Sequence, residues 1–600
     1  MTHPRLDTVS LSRRDLLRSM GAGAALTAVA TAVPAALAAP ASAATTTVAG
    51  AKGAAAPLQL ARVWAFSRAH RALLAELDDT HRVFADGSAE YLLWPGDELK
   101  LQTAGMSYEI TVADVAARDA AIAAAAPARP VDLPLQPGET NGEYRRLPDF
   151  EADMRSLAER FPDKARLIEL PEKTLEGRTV YGLEIATDVE RNDGRPVFYN
   201  DGIHHAREWP AAEVPIMWAF DLLENYGVDP RITNIVDHVR NIVVPVVNPD
   251  GFNLSREFPV NQSVMGSAPY QIGQGQYVRK NRRSELGDAV GQHGPGNLTS
   301  YGVDPNRNYA YAWGDNIGGS SSSKTSQTYR GTEPFSEAES RNVSHLLRTH
   351  HATAMITHHT SGDLVLWAWG DTTDDAPDDG LLQGLGRACA AFNRYRPQKS
   401  IQLYATTGTT SDYAYGVFGS IGYTFEHAGS SFHPPYPSTV PAMYAKNREA
   451  LILLCEEGCL PPEKRPADRT IPPVLTQHTS LGVLNHCIIL GRLVDADGNG
   501  VAGTVRLHKE FETLLWKDGN GGNPTGKASV TEVVDTVMET NADGTFEYHV
   551  NPSTRPYLTF KGERETYELT ATAAGGGASA TRDVFVARGQ WLNLGDVQLG

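Results

Sequence analysis

Several short polar clusters in this chain combine residue types that hold metals and move protons. In Gly202-Ile203-His204-His205-Ala206-Arg207-Glu208-Trp209 a histidine stands three residues before a glutamate, directly after the apolar run Pro196 to Tyr199. Placed in a turn that enters a helix, two such side chains point toward one centre and offer a nitrogen and an oxygen to zinc. His358-His359 closes a second apolar run, Ala354 to Thr357. Successive strand side chains face opposite ways, so only one of these two enters the same site. Two histidines and a carboxylate, with a fourth position for water, form the donor set of a hydrolytic zinc site. Glu426 ends a third run, Tyr423-Thr424-Phe425-Glu426. A carboxylate there is costly unless it is used, which makes Glu426 the candidate general base. Tyr277-Val278-Arg279-Lys280 and Asp304-Pro305-Asn306-Arg307-Asn308-Tyr309 complete the set. Beside a zinc site, one arginine can polarise a carbonyl and the other can clamp a carboxylate through paired hydrogen bonds.

The elements that must carry these residues alternate. Phe150, Met154, Leu157 and Phe161 mark one face of an amphipathic helix. Strand-length runs follow at Pro196 to Tyr199, Asn241 to Val247, Ala354 to Thr357 and Ile421 to Phe425. Helical patterns lie between them at Glu213 to Glu224 and at Ser336 to Leu347, the latter opening on a capping box, Ser336-x-x-Glu339. This predicts an α/β fold with a mixed, mostly parallel sheet flanked by helices, and sites at the strand ends. Before it, strands at Leu60 to Phe66, Tyr91 to Trp94 and Met106 to Val112 and a helix at Arg68 to Leu77 predict a small α+β unit. Residues 126–142, with prolines at 127, 130, 134 and 137, read as a linker. From about Pro466, short β-rich runs predict a β-sandwich: Cys487 to Val494, Val501 to Leu507, Thr545 to Val550, Tyr557 to Phe560, Tyr567 to Thr572 and Arg582 to Val586. Asp495-x-Asp497-Gly498-Asn499-Gly500 reads as a hairpin turn, since the downstream glutamate of a calcium loop is missing.

Composition narrows the class. Six hundred residues, 41% hydrophobic and 21% charged, have material for several cores and exclude collagen, low-complexity and polytopic membrane chains. Fifty-four basic against 71 acidic residues give a net charge of −17, which leaves no global attraction for nucleic acid. Ser12-Arg13-Arg14-Asp15-Leu16-Leu17, a weakly apolar stretch from Gly21 to Leu37 and Ala41-Ser42-Ala43 resemble a twin-arginine export signal. A bacterial, secreted mature chain with no membrane segment is therefore expected. Cys389, Cys455, Cys459 and Cys487 are too few for a disulfide scaffold and lack zinc-knuckle spacing, though export leaves room for one or two bridges. Cys455 and Cys459, four apart on a predicted helix, are poorly placed to pair with each other.

The segment from about Glu143 to Leu460 resembles the zinc metallocarboxypeptidases of the carboxypeptidase A/B type. The resemblance rests on His205-Ala-Arg-Glu208-Trp, Asn248-Pro-Asp-Gly-Phe252, Val278-Arg279-Lys280, Gly302-Val-Asp-Pro-Asn306-Arg307-Asn, His359 followed by Leu364-Val-Leu-Trp-Ala-Trp-Gly370, and Tyr404 placed 22 residues before Glu426. It implies the zinc carboxypeptidase fold, one zinc ion held by His205, Glu208 and His359, and Asp304 orienting a ligand histidine. It implies Glu426 as the base that activates water, Arg279 as the oxyanion partner, and Asn306, Arg307 and Tyr404 as holders of the substrate's terminal carboxylate. The side-chain pocket falls near Leu366, Gly370, Thr406, Thr409, Thr410, Ser411 and Thr424, with Ser411 where selectivity for Lys or Arg needs an acid. A neutral, permissive pocket is expected, and Asp412 is not assigned to its floor.

The organisation expected is a signal peptide at 1–43, a propeptide-like domain at 58–125, the linker at 126–142, a catalytic domain at 143–462 and a transthyretin-like or regulatory-like β-sandwich at 466–600. The function expected is hydrolysis of the C-terminal peptide bond of peptides and proteins, with the propeptide-like domain covering the site until the linker is cut. The rival readings are a zinc amidohydrolase or cell-wall peptide carboxypeptidase of the same fold, and a non-catalytic secreted binding protein. A serine hydrolase is disfavoured because the chain has no GxSxG elbow.

Overall fold

Eight strands build the central sheet, in the order Arg396–Lys399, Leu364–Trp367, Ile421–His427, Ala354–Thr360, Val197–Gly202, Arg240–Val244, Tyr181–Ile185 and Ala165–Glu169. The middle four are mutually parallel. Leu364–Trp367 runs antiparallel to Ile421–His427, and Tyr181–Ile185 antiparallel to Arg240–Val244, so the sheet is mixed and mostly parallel at its centre, as expected. Every residue of the Val197–Gly202, Ala354–Thr360 and Ile421–His427 strands is buried, which is why these runs are apolar rather than alternating. The Pro210–Glu224 helix covers the sheet and is buried on every side from Pro210 to Ala219. Its Met217 and Leu222 are fully buried, and truncating either to alanine would cost about 2–5 kcal/mol.

The computed structural model describes residues 57–74, 76–126, 129–257, 274–283, 302–315, 318–429, 431–473, 483–514, 529–553 and 565–600. The signal reading, and the predicted strand at Tyr557 to Phe560, lie outside these residues. Ala54–Gly600 forms one compact unit. Within it a four-stranded antiparallel sheet, Asp78–Val83, Ala89–Leu93, Gln59–Trp64 and Ser107–Val112, carries the helices Arg68–Leu74, Asp97–Thr103 and Val115–Ala124. At the other end a three-stranded sheet (Thr545–Val550, Cys487–Val494, Trp591–Gln598) and a four-stranded sheet (Ser529–Glu539, Gly503–Leu514, Glu565–Ala573, Ser579–Val586) contribute to one apolar cluster through Leu493, Val505, Val534, Phe546 and Leu569.

Three local expectations change. The capping box at Ser336 does not form: the helix is Ala338–His350, its N-cap is Glu337, and no side chain caps it. Ser336 Oγ is used elsewhere, donating to Glu337 Oε1 and accepting from Asn308 Nδ2, while Asn308 Oδ1 accepts from Glu337 N. The four cysteines are buried and free, so the bridges that export left room for are not made. Two long strands, Ser529–Glu539 and Trp591–Gln598, were not anticipated. Among the described residues no helix is long and apolar enough to cross a membrane.

Candidate metal and hydrolytic site

The site is assembled where the parallel strands end. Gly202 closes its strand so near the following helix that a Cβ there would lie 2.5 Å from Ala211 O. Ile203 then takes a left-handed φ of 53°, a strained conformation for a β-branched residue. The turn is held by Val247 N donating to Gly202 O and Asn248 N to Ile203 O, both at 3.0 Å, with Asn248 Nδ2 donating to His204 O. This turn sends the two neighbouring histidines different ways. His205 Nδ1 lies 2.8 Å from Glu208 Oε1. His204 instead meets Tyr309 OH and Thr410 Oγ1, at 2.8 and 2.9 Å from its Nε2.

The second histidine pair divides in the same manner. His359 Nδ1 lies 2.9 Å from Glu208 Oε2 and 3.2 Å from His205 Nδ1. His358, one residue earlier on the strand, turns to the other face and meets His427 Nε2 at 2.8 Å and Asn200 Oδ1 at 3.3 Å. His205, Glu208 and His359 thus form a buried group whose donor atoms all lie within 4.8 Å of one another. A tetrahedral centre with bonds of about 2.0–2.2 Å needs donors roughly 3.3–3.5 Å apart. The separations of 2.8 to 3.2 Å require only a slight opening, so two nitrogens and a carboxylate of this set fit zinc.

The charges around the group prepare it for a cation. His205 Nε2 donates to Asp304 Oδ1 at 3.1 Å, which leaves the Nδ1 lone pair facing the centre. Burial and the nearby Arg279 push His205 below its ordinary pKa, toward the neutral form that binds metal. Burial alone would raise Glu208, but His205 and His359 hold it well below the usual carboxylate range. Asp304 is also fully buried, yet Arg279, His205 and Arg307 keep it ionised. Arg279 Nε and Nη2 reach Asp304 Oδ2 at 3.0 and 2.9 Å, so one carboxylate fixes both a candidate ligand and a candidate oxyanion partner. Lys280, adjacent to Arg279, points away to the carbonyls of Lys324 and Ser326.

Glu426 is the register partner of His359 on the neighbouring parallel strand, so the two side chains project from the same face of the sheet. Arg307 is buried; its Nε donates to Gly319 O, its Nη1 to Asn306 O, and its Nη2 to Tyr404 OH at 3.3 Å. Burial pushes the Tyr404 hydroxyl up to about 12, so it stays a neutral donor. Asn306 Oδ1 accepts from Thr410 N and Thr410 Oγ1 at 2.9 and 3.0 Å. Ser411 is buried and accepts from Thr424 Oγ1 at 3.3 Å, whereas Asp412 Oδ2 accepts from Gly370 N at 2.9 Å.

The sequence reading missed two features. His204 links through Thr410 to Asn306, a chain visible only once the His204 turn is known. Arg207, between His205 and Glu208, is fully buried and pairs with Asp78 of the N-terminal unit, with 2.7 Å between Nη2 and Oδ1. Its place inside the His-Ala-Arg-Glu block was the available signal.

A family model described as zinc carboxypeptidase matches residues 150–450. The chain is 27% identical over 328 residues to carboxypeptidase B of Helicoverpa zea, covering 52% of this chain and 69% of that one. It is 28% identical over 291 residues to carboxypeptidase A1 of Rattus norvegicus, covering 47% of this chain and 62% of the rat protein, less than two thirds of it. Carboxypeptidase B of Astacus astacus is 30% identical over 293 residues, 47% of this chain and 86% of its own. Among solved structures, carboxypeptidase A from Helicoverpa armigera is similar with a TM-score of 0.52 at 22% identity, covering 66% of this chain and 97% of that chain. That likeness bears on the fold alone.

Proposed function

Since this chain belongs to the zinc carboxypeptidase family, we propose that it is a secreted enzyme that removes the last residue of peptides and proteins by hydrolysis. The observation that carries this reading is the convergence of His205, Glu208 and His359 beside Glu426, flanked by Arg279 and Arg307. A zinc ion held by His205, Glu208 and His359 would supply Lewis acidity to this centre. Glu426 takes the proton of the attacking water and passes it to the leaving amine. Arg279, pre-aligned by Asp304, balances the negative charge that develops on the carbonyl oxygen. Asn306, Arg307 and Tyr404 bind the terminal carboxylate, which an internal peptide bond lacks, and this makes the action exopeptidic. Ser411 beside Thr424, with Asp412 turned to a backbone N–H, supports a neutral pocket that takes apolar and uncharged polar residues.

We further read residues 58–125 as an inhibitory propeptide. Support comes from Asp78, which accepts from Arg207 and from Trp94 Nε1, and from Glu76, which accepts from Ser321 Oγ at 2.8 Å. Glu76 and Asp78 thus tie this edge of the N-terminal unit to Ser321 and to Arg207, which stands between His205 and Glu208 in the chain. The test of the hydrolytic assignment is Glu426→Gln: it should bind zinc as the parent does and lose nearly all turnover of a peptide with a free C-terminus. Turnover at the parent rate would remove Glu426 from the mechanism.

A further inference from the structure

The described residues of the connection between the N-terminal unit and the catalytic part, 129–142, differ sharply in exposure and in what a protease could grip. Between Arg118 and Arg145 the sequence has one basic residue, Arg129. Its guanidinium is fully engaged: Nε and Nη2 donate to Glu139 at 2.6 and 3.1 Å, Nη1 to Leu133 O and Nη2 to Pro134 O at 2.6 Å. The next residue is Pro130, whose tertiary amide is a poor scissile bond. Arg145 is buried against Glu213 and Asp153, and Arg146 leads into the Leu147–Arg160 helix as its N-cap. A trypsin-like enzyme, which needs a free basic side chain, finds none in this segment.

Apolar side chains are offered instead. Leu135 is 81% exposed and Val131 97% exposed, and residues 134–136 lie outside helix and strand. Such exposed loop segments are preferred sites of nicking. Val131 sits in a turn closed by Leu133 N donating to Pro130 O, and it precedes an aspartate. Leu133 precedes Pro134. Among the described residues 129–142, Leu135–Gln136 is the remaining bond with a strongly exposed apolar residue on its acyl side and a secondary amide on the other.

Downstream, the chain is anchored at once to the catalytic part. Gly138 O accepts from Arg145 Nη2 at 2.5 Å, and Thr140 N donates to Tyr436 OH at 3.0 Å. Gly138, at φ 68°, lies so close to Phe220 that a Cβ would be 2.4 Å from its Cδ2. A cut before Gln136 therefore leaves the anchored segment intact. The N-terminal unit is then held only by non-covalent contacts, among them Asp78–Arg207, Glu76–Ser321, Asp119–Tyr277 and the apolar cluster of Leu60, Leu92, Trp94, Tyr277 and Phe432.

Resting on the propeptide reading above, we infer that Leu135–Gln136 is the activation bond, cut by an endoprotease that takes an apolar side chain on the acyl side, and that trypsin-like enzymes do not activate this chain through the linker. The test uses the full exported chain, treated separately with chymotrypsin and trypsin, with new N-termini sequenced and release of a C-terminal residue measured. Chymotrypsin should create a Gln136 terminus and raise activity roughly tenfold or more, as expected when a mostly covered site is freed. Trypsin should make no cut between 126 and 142. In Leu135→Arg, trypsin should cut after residue 135 and raise activity equally. Activation through a cut elsewhere, or a tryptic cut after Arg129, overturns the assignment. A Gln136 terminus with activity unchanged from the uncut chain instead overturns the propeptide reading beneath it.

Discussion

Asp304→Asn is the substitution that most directly separates the parts of the proposed machinery. Asp304 is fully buried: Oδ1 accepts from His205 Nε2 at 3.1 Å and from Asn306 N at 2.9 Å, and Oδ2 accepts from Arg279 Nε and Nη2 at 3.0 and 2.9 Å. Asparagine keeps the shape but removes the charge, and its amide oxygen can accept from only one of the two side-chain partners, His205 or Arg279. Loss of a carboxylate that orients a metal-ligating histidine weakens metal binding by about 10–100-fold. Arg279 loses the carboxylate it is paired with, so its alignment with the oxyanion should relax as well. Oxyanion contacts are worth about 2.7–4 kcal/mol, or roughly 100- to 1,000-fold in kcat. Zinc affinity is measured by competition with a coloured chelator, and kcat is then measured at saturating zinc. The account requires both effects: weaker zinc binding, and a kcat loss that added zinc does not restore. Parent-like zinc affinity, or full recovery of kcat by zinc, would refute the double role of Asp304.

Other expectations concern the substrate clamp, the cover and the C-terminal sandwich. Arg307→Gln should raise KM for free C-termini with a smaller effect on kcat, and steady-state kinetics on a dipeptide series would show it. Asp78→Asn should loosen the cover and raise the activity of the uncleaved chain, without changing the activity of the cleaved form. Glu532, on the Ser529–Glu539 strand, is buried and accepts from Tyr413 OH at 2.9 Å. Burial pushes its carboxyl up to about 7, well above the ordinary glutamate range. The folded state then binds a proton that the unfolded chain has released, so stability should fall as pH rises from about 4.5 to about 7, by at most ~3 kcal/mol. Thermal unfolding across that range should show the slope, and Glu532→Gln should flatten it.

The candidate metal group was legible because His205, His359 and Glu426 stand at or just beyond the ends of apolar runs. Glu426 after Phe425 and His359 after His358 announce themselves as polar residues where burial demands apolar ones. What spacing left open, His204 against His205 and His358 against His359, the backbone decides. The left-handed Ile203 turns His204 toward Tyr309 and Thr410, and strand alternation turns His358 toward His427. The contacts between the parts were not legible, because no local pattern pairs Arg207 with Asp78 or Tyr413 with Glu532 across 129 and 119 residues. The capping box at Ser336 failed for a related reason. A distant side chain, Asn308, competes for the serine hydroxyl, and such tertiary competition is invisible in a four-residue motif.

The central claim is that this site hydrolyses only the terminal bond and needs both its metal and the substrate's carboxylate. Peptides of one sequence, with free or amidated C-termini, should be given to the cleaved protein with and without a zinc chelator. Release of a single residue from the free peptide, absent from the amidated one and abolished by the chelator, is the predicted result. Equal cleavage of the amidated peptide, or of internal bonds, would contradict the account.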